Sequence, residues 1–143
     1  MANNATTYLE NKLLNHIFKN TAFTTPGNSI YVGLATAVSD AEAGTLTEVN
    51  STTEDTSYAR QQVNAAGWTV PASSTDTQTA KNNANIEFSA SGGEASYTVT
   101  HVFIADALTS GNILFVGALD ANKTIADGDI FRINTNNLTI ELT

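Results

Sequence analysis

Only one segment of the chain has the period of an amphipathic helix, and it lies near the start. In TTYLENKLLNHIFKN, residues 6–20, apolar side chains recur every three or four positions and so share one side of a helix. These side chains are Leu9, Leu13, Leu14, Ile17 and Phe18. Thr7 and Glu10 match a capping box, and Pro-Gly at 26–27 stops the segment. The pattern predicts one α-helix over residues 8–19.

The apolar side of this helix has two candidate partners. It is about as wide as one sheet-packing face requires, so the helix can cover an otherwise open sheet of its own chain. Alternatively, Leu9, Leu13 and Ile17 meet the same side chains of a neighbouring subunit. The sequence leaves both interpretations open.

The rest of the chain consists of short apolar runs separated by polar turns, which is typical of β-strands. The runs are SIYVGLAT (29–36), SYARQQVNAAGWTV (57–70, turning near Gly67), ANIEFSA (84–90), SYTVTHVFIAD (96–106), ILFVGAL (113–119), IFRIN (130–134) and NLTIEL (137–142). No internal repeat or linker interrupts them. We therefore predict a mainly β chain, forming a single domain over residues 1–143: an antiparallel β-sandwich of about seven strands with one N-terminal amphipathic α-helix.

Two polar stretches without a sustained period are predicted to be long exposed loops. They cover residues 37–57, where a short strand at 46–49 is compatible with the pattern, and residues 71–83. Loops longer than about 15 residues in a compact domain usually make functional contacts. The alternation changes phase near His101, which predicts a β-bulge. Asp-Gly-Asp at 127–129 predicts a tight turn, because glycine readily adopts positive φ.

Charge and composition argue against several classes of protein. The chain has 14 acidic and 6 basic residues, a formal charge of −8, and no run of either sign. Nucleic acids and anionic membrane surfaces require clustered Lys and Arg, so neither is an expected partner. No apolar run approaches the about 20 residues that span a bilayer, and the first residues lack the features of a targeting peptide. The absence of cysteine excludes disulfides and thiolate metal sites.

The titratable residues do not form a recognisable catalytic or metal-binding motif. His101 and Asp106 are five residues apart along a predicted strand, which separates them by about 16 Å, and no nucleophile motif accompanies them. Counted from Asp120 at the start of the acidic segment 120–129, the sixth and twelfth residues are Ile125 and Phe131, where a calcium loop of the EF type needs Gly and Glu. We therefore expect no catalytic residues, no cofactor, no metal site and no enzymatic activity.

Three further residues are candidates for contacts between subunits. Arg60 lies among strand-forming residues, where it is either an edge-strand arginine or an interface arginine paired with a neighbour's carboxylate. Tyr58 and Trp68 pack on a sheet face or anchor a contact. The full set of candidate interface residues is Leu9, Leu13, Ile17, Tyr58, Arg60 and Trp68.

The order of several motifs adds information that periodicity does not contain. YLENKLLNHIF, IYVGLAT, SYARQQV, NNANIEFSA, VTHVFIADALTSGNILFVGAL, KTIADGDIFRI and NLTIEL occur in sequence along nearly the whole chain. In this order they resemble a family of small tailed-phage virion proteins that are often called tail fibre proteins and are related to head decoration or cement proteins. The resemblance implies a bacteriophage virion structural protein.

Three functions are compatible with these observations. A slender fibre normally shows repeats or heptads, and neither is present, so the first expectation is a capsid decoration or cement protein that stabilises major capsid subunits from outside. The alternative is a tail fibre, tail adaptor or tip component. The third is a carbohydrate-binding module with an exposed platform made by Tyr31, Tyr58, Trp68 and Tyr97.

The resemblance also implies partners and a location. The expected partners are other copies of the chain and either the major capsid protein or tail proteins, with no nucleic acid and no membrane. The expected location is the exterior of the virion, after assembly in the host cytoplasm. The sequence leaves open whether the 37–57 and 71–83 loops contact a partner or a receptor.

Overall fold

The computed structural model describes residues 3–23, 29–71, 78–93 and 95–142. Within these ranges the chain forms one α-helix and eleven strands. In chain order they are β1 (Asn3–Ala5), α1 (Thr7–Lys19), β2 (Ser29–Asp40), β3 (Thr45–Glu48), β4 (Gln61–Asn64), β5 (Trp68–Thr69), β6 (Gln78–Asn82), β7 (Ile86–Glu87), β8 (Tyr97–Ala105), β9 (Ile113–Ile125), β10 (Arg132–Ile133) and β11 (Thr139–Leu142). The predicted mainly β fold with one helix near the N-terminus is confirmed.

The strands form one large sheet and two small ones, with antiparallel pairing throughout. The large sheet has the order β1-β9-β8-β2-β3, and β4 also pairs with β2. The small sheets are β11-β6-β5 and β10-β7. The main core lies between the large sheet, which contributes Val32 and Val99, and the small β10-β7 sheet, which contributes Ile86 and Ile133. This two-layer packing agrees with the predicted sandwich.

Strand β8 occupies the middle of the large sheet and is buried on both faces. Val102 belongs to the main core, whereas its neighbour Phe103 belongs to a second cluster on the opposite face. The register with β9 shifts between Val99 and His101, which confirms the predicted bulge. The bulge changes the phase of the alternation, and so Val99 and Val102 can both face the main core.

The long loop predicted over residues 37–57 is wrong over 37–48, which form a hairpin, whereas the short strand allowed at 46–49 is confirmed as β3. β2 continues to Asp40 and turns at Gly44, whose φ of 68° suits glycine, into β3. Most side chains of this polar hairpin are exposed, whereas Val38 and Leu46 pack against the buried cluster that contains Phe103. The remaining segment, 50–57, forms turns without a strand and is mostly exposed, as predicted, although Asp55 within it is only 3% exposed.

The second predicted loop, 71–83, is also partly wrong. Residues 72–77 lie outside the described part of the chain, but 78–82 form β6. Asn82, at the end of β6, is 1% exposed; its amide donates to the carbonyl oxygens of Ala84 and Asn134 and accepts the backbone N–H of Leu138. A polar strand end can therefore be buried, because the hydrogen bonds of the Asn82 amide within the protein take the place of its hydrogen bonds to water.

The strand count exceeds the predicted seven, because short polar pairings escape detection by apolar alternation. β9 is thirteen residues long, and its polar second half, including Lys123, pairs with the first half of β8. The Asp127–Asp129 turn is confirmed, with Gly128 at a φ of 81° and Asp129 N–H donating to the Ala126 carbonyl.

Gly33 in β2 provides a test of the packing around β8. It pairs with Phe103, and a Cβ at position 33 would lie 2.2 Å from the ring. Because Phe103 is fully buried, Gly33→Ala should lower the free energy of unfolding by about 1–3 kcal/mol. Urea denaturation measures this. Gly128→Asn is the control, because position 128 has open space and Asn tolerates positive φ. Equal losses of unfolding free energy in both variants would contradict the claim that Phe103 leaves no room for a side chain at position 33.

Candidate attachment surface

The helix α1 is fixed to the large sheet by its first turn. Thr6 is the N-cap: its hydroxyl accepts the Leu9 N–H at 3.4 Å and donates to the Ile113 carbonyl at 2.6 Å. Its backbone N–H donates to the Leu114 carbonyl. The predicted capping box of Thr7 and Glu10 is therefore wrong by one residue, because the hydroxyl that reaches both the helix and β9 is that of Thr6.

The apolar side chains of α1 become more exposed toward the C-terminal end of the helix. Leu9 is 6% exposed and Leu13 is half-buried, but Leu14, Ile17 and Phe18 are 56%, 66% and 77% exposed. We call these last three residues the exposed α1 face. The helix thus covers its own sheet only near its N-terminus, and a protein partner can bury the remaining apolar surface.

Fraying does not account for this exposure, because the end of α1 has its own cap. Asn20 adopts the left-handed conformation with φ of 51°, and its backbone N–H donates to the Asn15 carbonyl. The Thr21 N–H donates to the same carbonyl, and His16 Nδ1 lies 3.2 Å from the Thr21 carbonyl oxygen. These contacts satisfy carbonyl and amide groups at the helix terminus.

A groove of about 590 Å³ runs beside the first half of α1. Its apolar lining comes from Leu13 and Leu14 of α1 with neighbouring side chains, and its remaining lining is mostly acidic. The lining residues are Asn4, Ala5, Glu10, Leu13, Leu14, Glu42, Glu141 and Leu142. We call this the acidic groove; it shares Leu14 with the exposed α1 face.

The candidate interface residues separate into different environments. Leu13 and Ile17 remain available on α1, whereas Leu9 is buried against Ile104, Leu114 and Ile140. Trp68 is half-buried against both this cluster and the main core. The sequence did not indicate the acidic groove, because Glu42 and Glu141 approach α1 only through tertiary folding.

Arg60 lies in a different part of the molecule and binds a carboxylate of its own chain. Its Nε and Nη2 donate to the two oxygens of Glu48 at 2.8 and 2.7 Å, and Nη1 donates to the carbonyls of Ala107 and Ser110. The guanidinium lies 5.0 Å from the centre of the Phe103 ring. Because its partners are internal, this arginine joins β3 to the 107–110 loop, and a role between subunits stays a prediction.

Tyr58 completes the Arg60 network. Its hydroxyl donates to Glu48 Oε1 at 2.8 Å and accepts the Leu34 N–H at 2.9 Å, while its ring stacks on Phe88. Burial, followed by the nearby Glu48 charge, raises the pKa of the Tyr58 hydroxyl, so the hydroxyl stays protonated and can donate.

The Arg60–Glu48 pair can be compared with an exposed pair in the same chain. Glu48→Gln leaves the Arg60 charge largely buried without its counter-ion, and should lower the free energy of unfolding by about 2–4 kcal/mol. Glu87→Gln is the matched control, because Arg132 and Glu87 are each about half exposed, and it should cost at most about 1 kcal/mol. Urea denaturation of both variants gives the comparison; a smaller loss for Glu48→Gln would refute it.

Asp55 is a buried carboxylate that the sequence did not single out. It accepts the backbone N–H groups of Ser57 and Gly92 at 2.9 and 3.0 Å, and the Tyr97 hydroxyl at 2.8 Å. Burial alone would raise the pKa of the Asp55 carboxyl, but these hydrogen bonds together hold it below the ordinary value of 3.8. Asp55 thus ties the segment after β3 to β8.

This carboxylate should make stability depend on acid pH. Because its pKa is depressed in the folded state, its contribution is complete above pH 3.8 and is lost as the pH falls through the lower folded-state pKa. Asp55→Asn should cost about 1–3 kcal/mol at neutral pH, and its difference from wild type should shrink below pH 3.8. Urea denaturation at stepped pH tests this, with exposed Asp127→Asn as control. A difference that did not vary with pH would disprove the role.

The four aromatic residues considered for a carbohydrate platform do not form one exposed surface. Tyr97 is 7% exposed and donates to Asp55, and Tyr58 donates to Glu48. Tyr31 and Trp68 are half-buried. These aromatic rings contribute to packing and internal hydrogen bonds.

His101 and Asp106 also form hydrogen bonds within the chain. His101 Nδ1 lies 2.8 Å from the Thr100 hydroxyl, and burial lowers the pKa of His101. Asp106 accepts the backbone and side-chain N–H groups of Asn112 at 2.7 Å. Among the described residues, no group of three or more His, Asp or Glu side chains is placed to share a metal ion.

The exposed apolar face of its single N-terminal helix, presented by a β-rich body, is typical of a protein that assembles with others. A family model described as "Podophage GP4 fiber I protein gp80" matches residues 4–141. The chain is therefore a bacteriophage virion structural protein that associates with other virion components. It belongs to the family of this podophage fiber I protein, which confirms the resemblance to phage tail fibre proteins.

Two further findings complete the comparison. No curated protein matches the chain. None of the helices in the described part of the chain is long and apolar enough to span a membrane.

Proposed function

We propose that the protein is a component of the tail fibre apparatus, a small folded module that attaches through α1 to another protein of the tail. The family match, which covers residues 4–141, favours a fibre protein over the capsid decoration protein expected first. The observation that carries the attachment role is the exposed α1 face, which is ordered to its C-cap and has no covering element among the described residues.

The energetics of this face favour attachment. Fully burying a Leu, Ile or Phe side chain yields about 1.5–3 kcal/mol, and Leu14, Ile17 and Phe18 are each more than half exposed. Apolar residues three and four positions apart on one helix side are a common arrangement for docking into a groove of a partner. The module thus presents a preformed helical contact and needs no refolding to bind.

The location and copy number of the protein in purified virions test this proposal. Immunogold microscopy should place the protein at the tail, and quantitative mass spectrometry should give a copy number on the scale of the tail's symmetry. Labelling over the whole head, with a copy number on the scale of the capsid shell, would overturn the fibre assignment in favour of decoration.

The role of the exposed α1 face is tested with Ile17→Asp. Ile17 is 66% exposed, so the variant should lower the free energy of unfolding by at most about 1 kcal/mol, the cost of an acidic residue in the last turn of α1, yet fail to enter virions of a phage lacking the wild-type gene. Val70→Asp, at a residue 63% exposed, is the matched control and should enter normally. Normal incorporation of Ile17→Asp would exclude the attachment role.

A further inference from the structure

We infer that the acidic groove binds a segment of another virion protein that inserts apolar side chains between flanking Lys or Arg residues. The inference rests on the proposed attachment function and specifies the chemistry of the partner. The exposed α1 face alone would accept any apolar surface, whereas the groove beside it adds a charge requirement.

The apolar part of the groove can accept side chains of a partner. Leu14 and Leu142 are 56% and 54% exposed, and Leu13 is half-buried between Leu14 and the body of the molecule. Their exposed surface lies in a concave site, where a partner side chain would be in contact on several sides. Burial of this surface gives affinity, but it does not determine which partner binds.

The charges around the groove supply that selectivity. Glu10, Glu42 and Glu141 are exposed, and no hydrogen bond or ion pair connects their carboxylates to another described residue. None of the described lining residues is Lys or Arg. Three carboxylates around one apolar site create a negative potential that attracts Lys and Arg on a partner and repels acidic surfaces.

The same charges argue against a second copy as the occupant. In a two-fold dimer the same patch lies on both sides of the interface, so the three carboxylates would face three others. The chain as a whole has a formal charge of −8, and a different surface of a second copy would on average be repelled as well. A basic segment of another virion protein avoids both penalties.

Charge reversal at the groove tests the inference in the assembled virion. A phage lacking the gene is grown in cells that supply the full chain as wild type, as Glu42→Lys/Glu141→Lys, or as Asp127→Lys. Glu10 is left unchanged because its charge also favours the N-terminus of α1. Asp127 is an exposed acidic residue of the 127–129 turn, outside the groove.

Incorporation into virions is measured by mass spectrometry, and circular dichroism verifies the fold of each purified variant. The Glu42→Lys/Glu141→Lys variant should be incorporated at least about tenfold less than wild type, and Asp127→Lys within about twofold of it. Because the groove chemistry concerns a partner, reversal at one exposed site elsewhere should have little effect.

The outcomes separate the two proposals. Wild type on the tail with normal incorporation of the double variant would overturn the groove inference and leave the fibre assignment intact. Wild type on the head would overturn the fibre assignment, and the inference with it. Sedimentation of the purified chain gives a third outcome. If the wild type forms an oligomer, and Leu14→Asp dissociates it while the matched Val70→Asp variant does not, the groove binds a second copy and the inference is overturned.

Discussion

The ion pair between Arg60 and Glu48 is the interaction on which the arrangement of the large sheet depends. Arg60 precedes β4, Glu48 ends β3, and the carbonyl groups that Arg60 binds belong to the loop between β8 and β9. Its guanidinium lies over the ring of Phe103, which also packs so closely on Gly33 that no Cβ fits there. One side chain therefore fixes the edge hairpin, the central strand and a connecting loop, which an apolar residue of the same size could not do.

Much of the fold could be predicted, because its main elements have a regular apolar period. The helix, the strands around Ile30, the bulge near His101 and the turn at Gly128 all follow from periodicity or from turn residues. Only the β3 side of the hairpin is indicated by the sequence, as the short strand at 46–49; the extension of β2 to Asp40 is not, because most of residues 37–40 are small or polar and exposed. Strand β6 was also missed, because its buried residue Asn82 is polar and its side-chain amide is satisfied by Ala84, Asn134 and Leu138, which lie outside the strand.

The candidate surface could be predicted only in part. The apolar period of α1 is visible in the sequence, but whether Ile17 faces its own sheet or solvent depends on how far the helix extends past β9. Glu42 and Glu141 are almost a hundred positions apart and meet at one groove, which no local pattern encodes. The sequence marks Arg60 as an edge-strand or interface arginine, and the carboxylate that it pairs with, Glu48, lies in the same chain.

The shortness of the helix anchor has a mechanical consequence. A pulling force on the far end of α1 acts on the contacts of its first turn, where Thr6 binds Leu114 and Ile113 and the Thr7 N–H binds the Glu42 carbonyl. It also acts on the three-residue pairing of β1 with β9 and, through the chain that continues from α1, on β2. Within the large sheet the strands are joined by far longer pairings, in particular β8 with β9 and β2 with β8. We therefore expect α1 and β1 to detach under load before the sheets unfold. The contact between α1 and the body would then be the first part of the molecule to yield when its partner is pulled away.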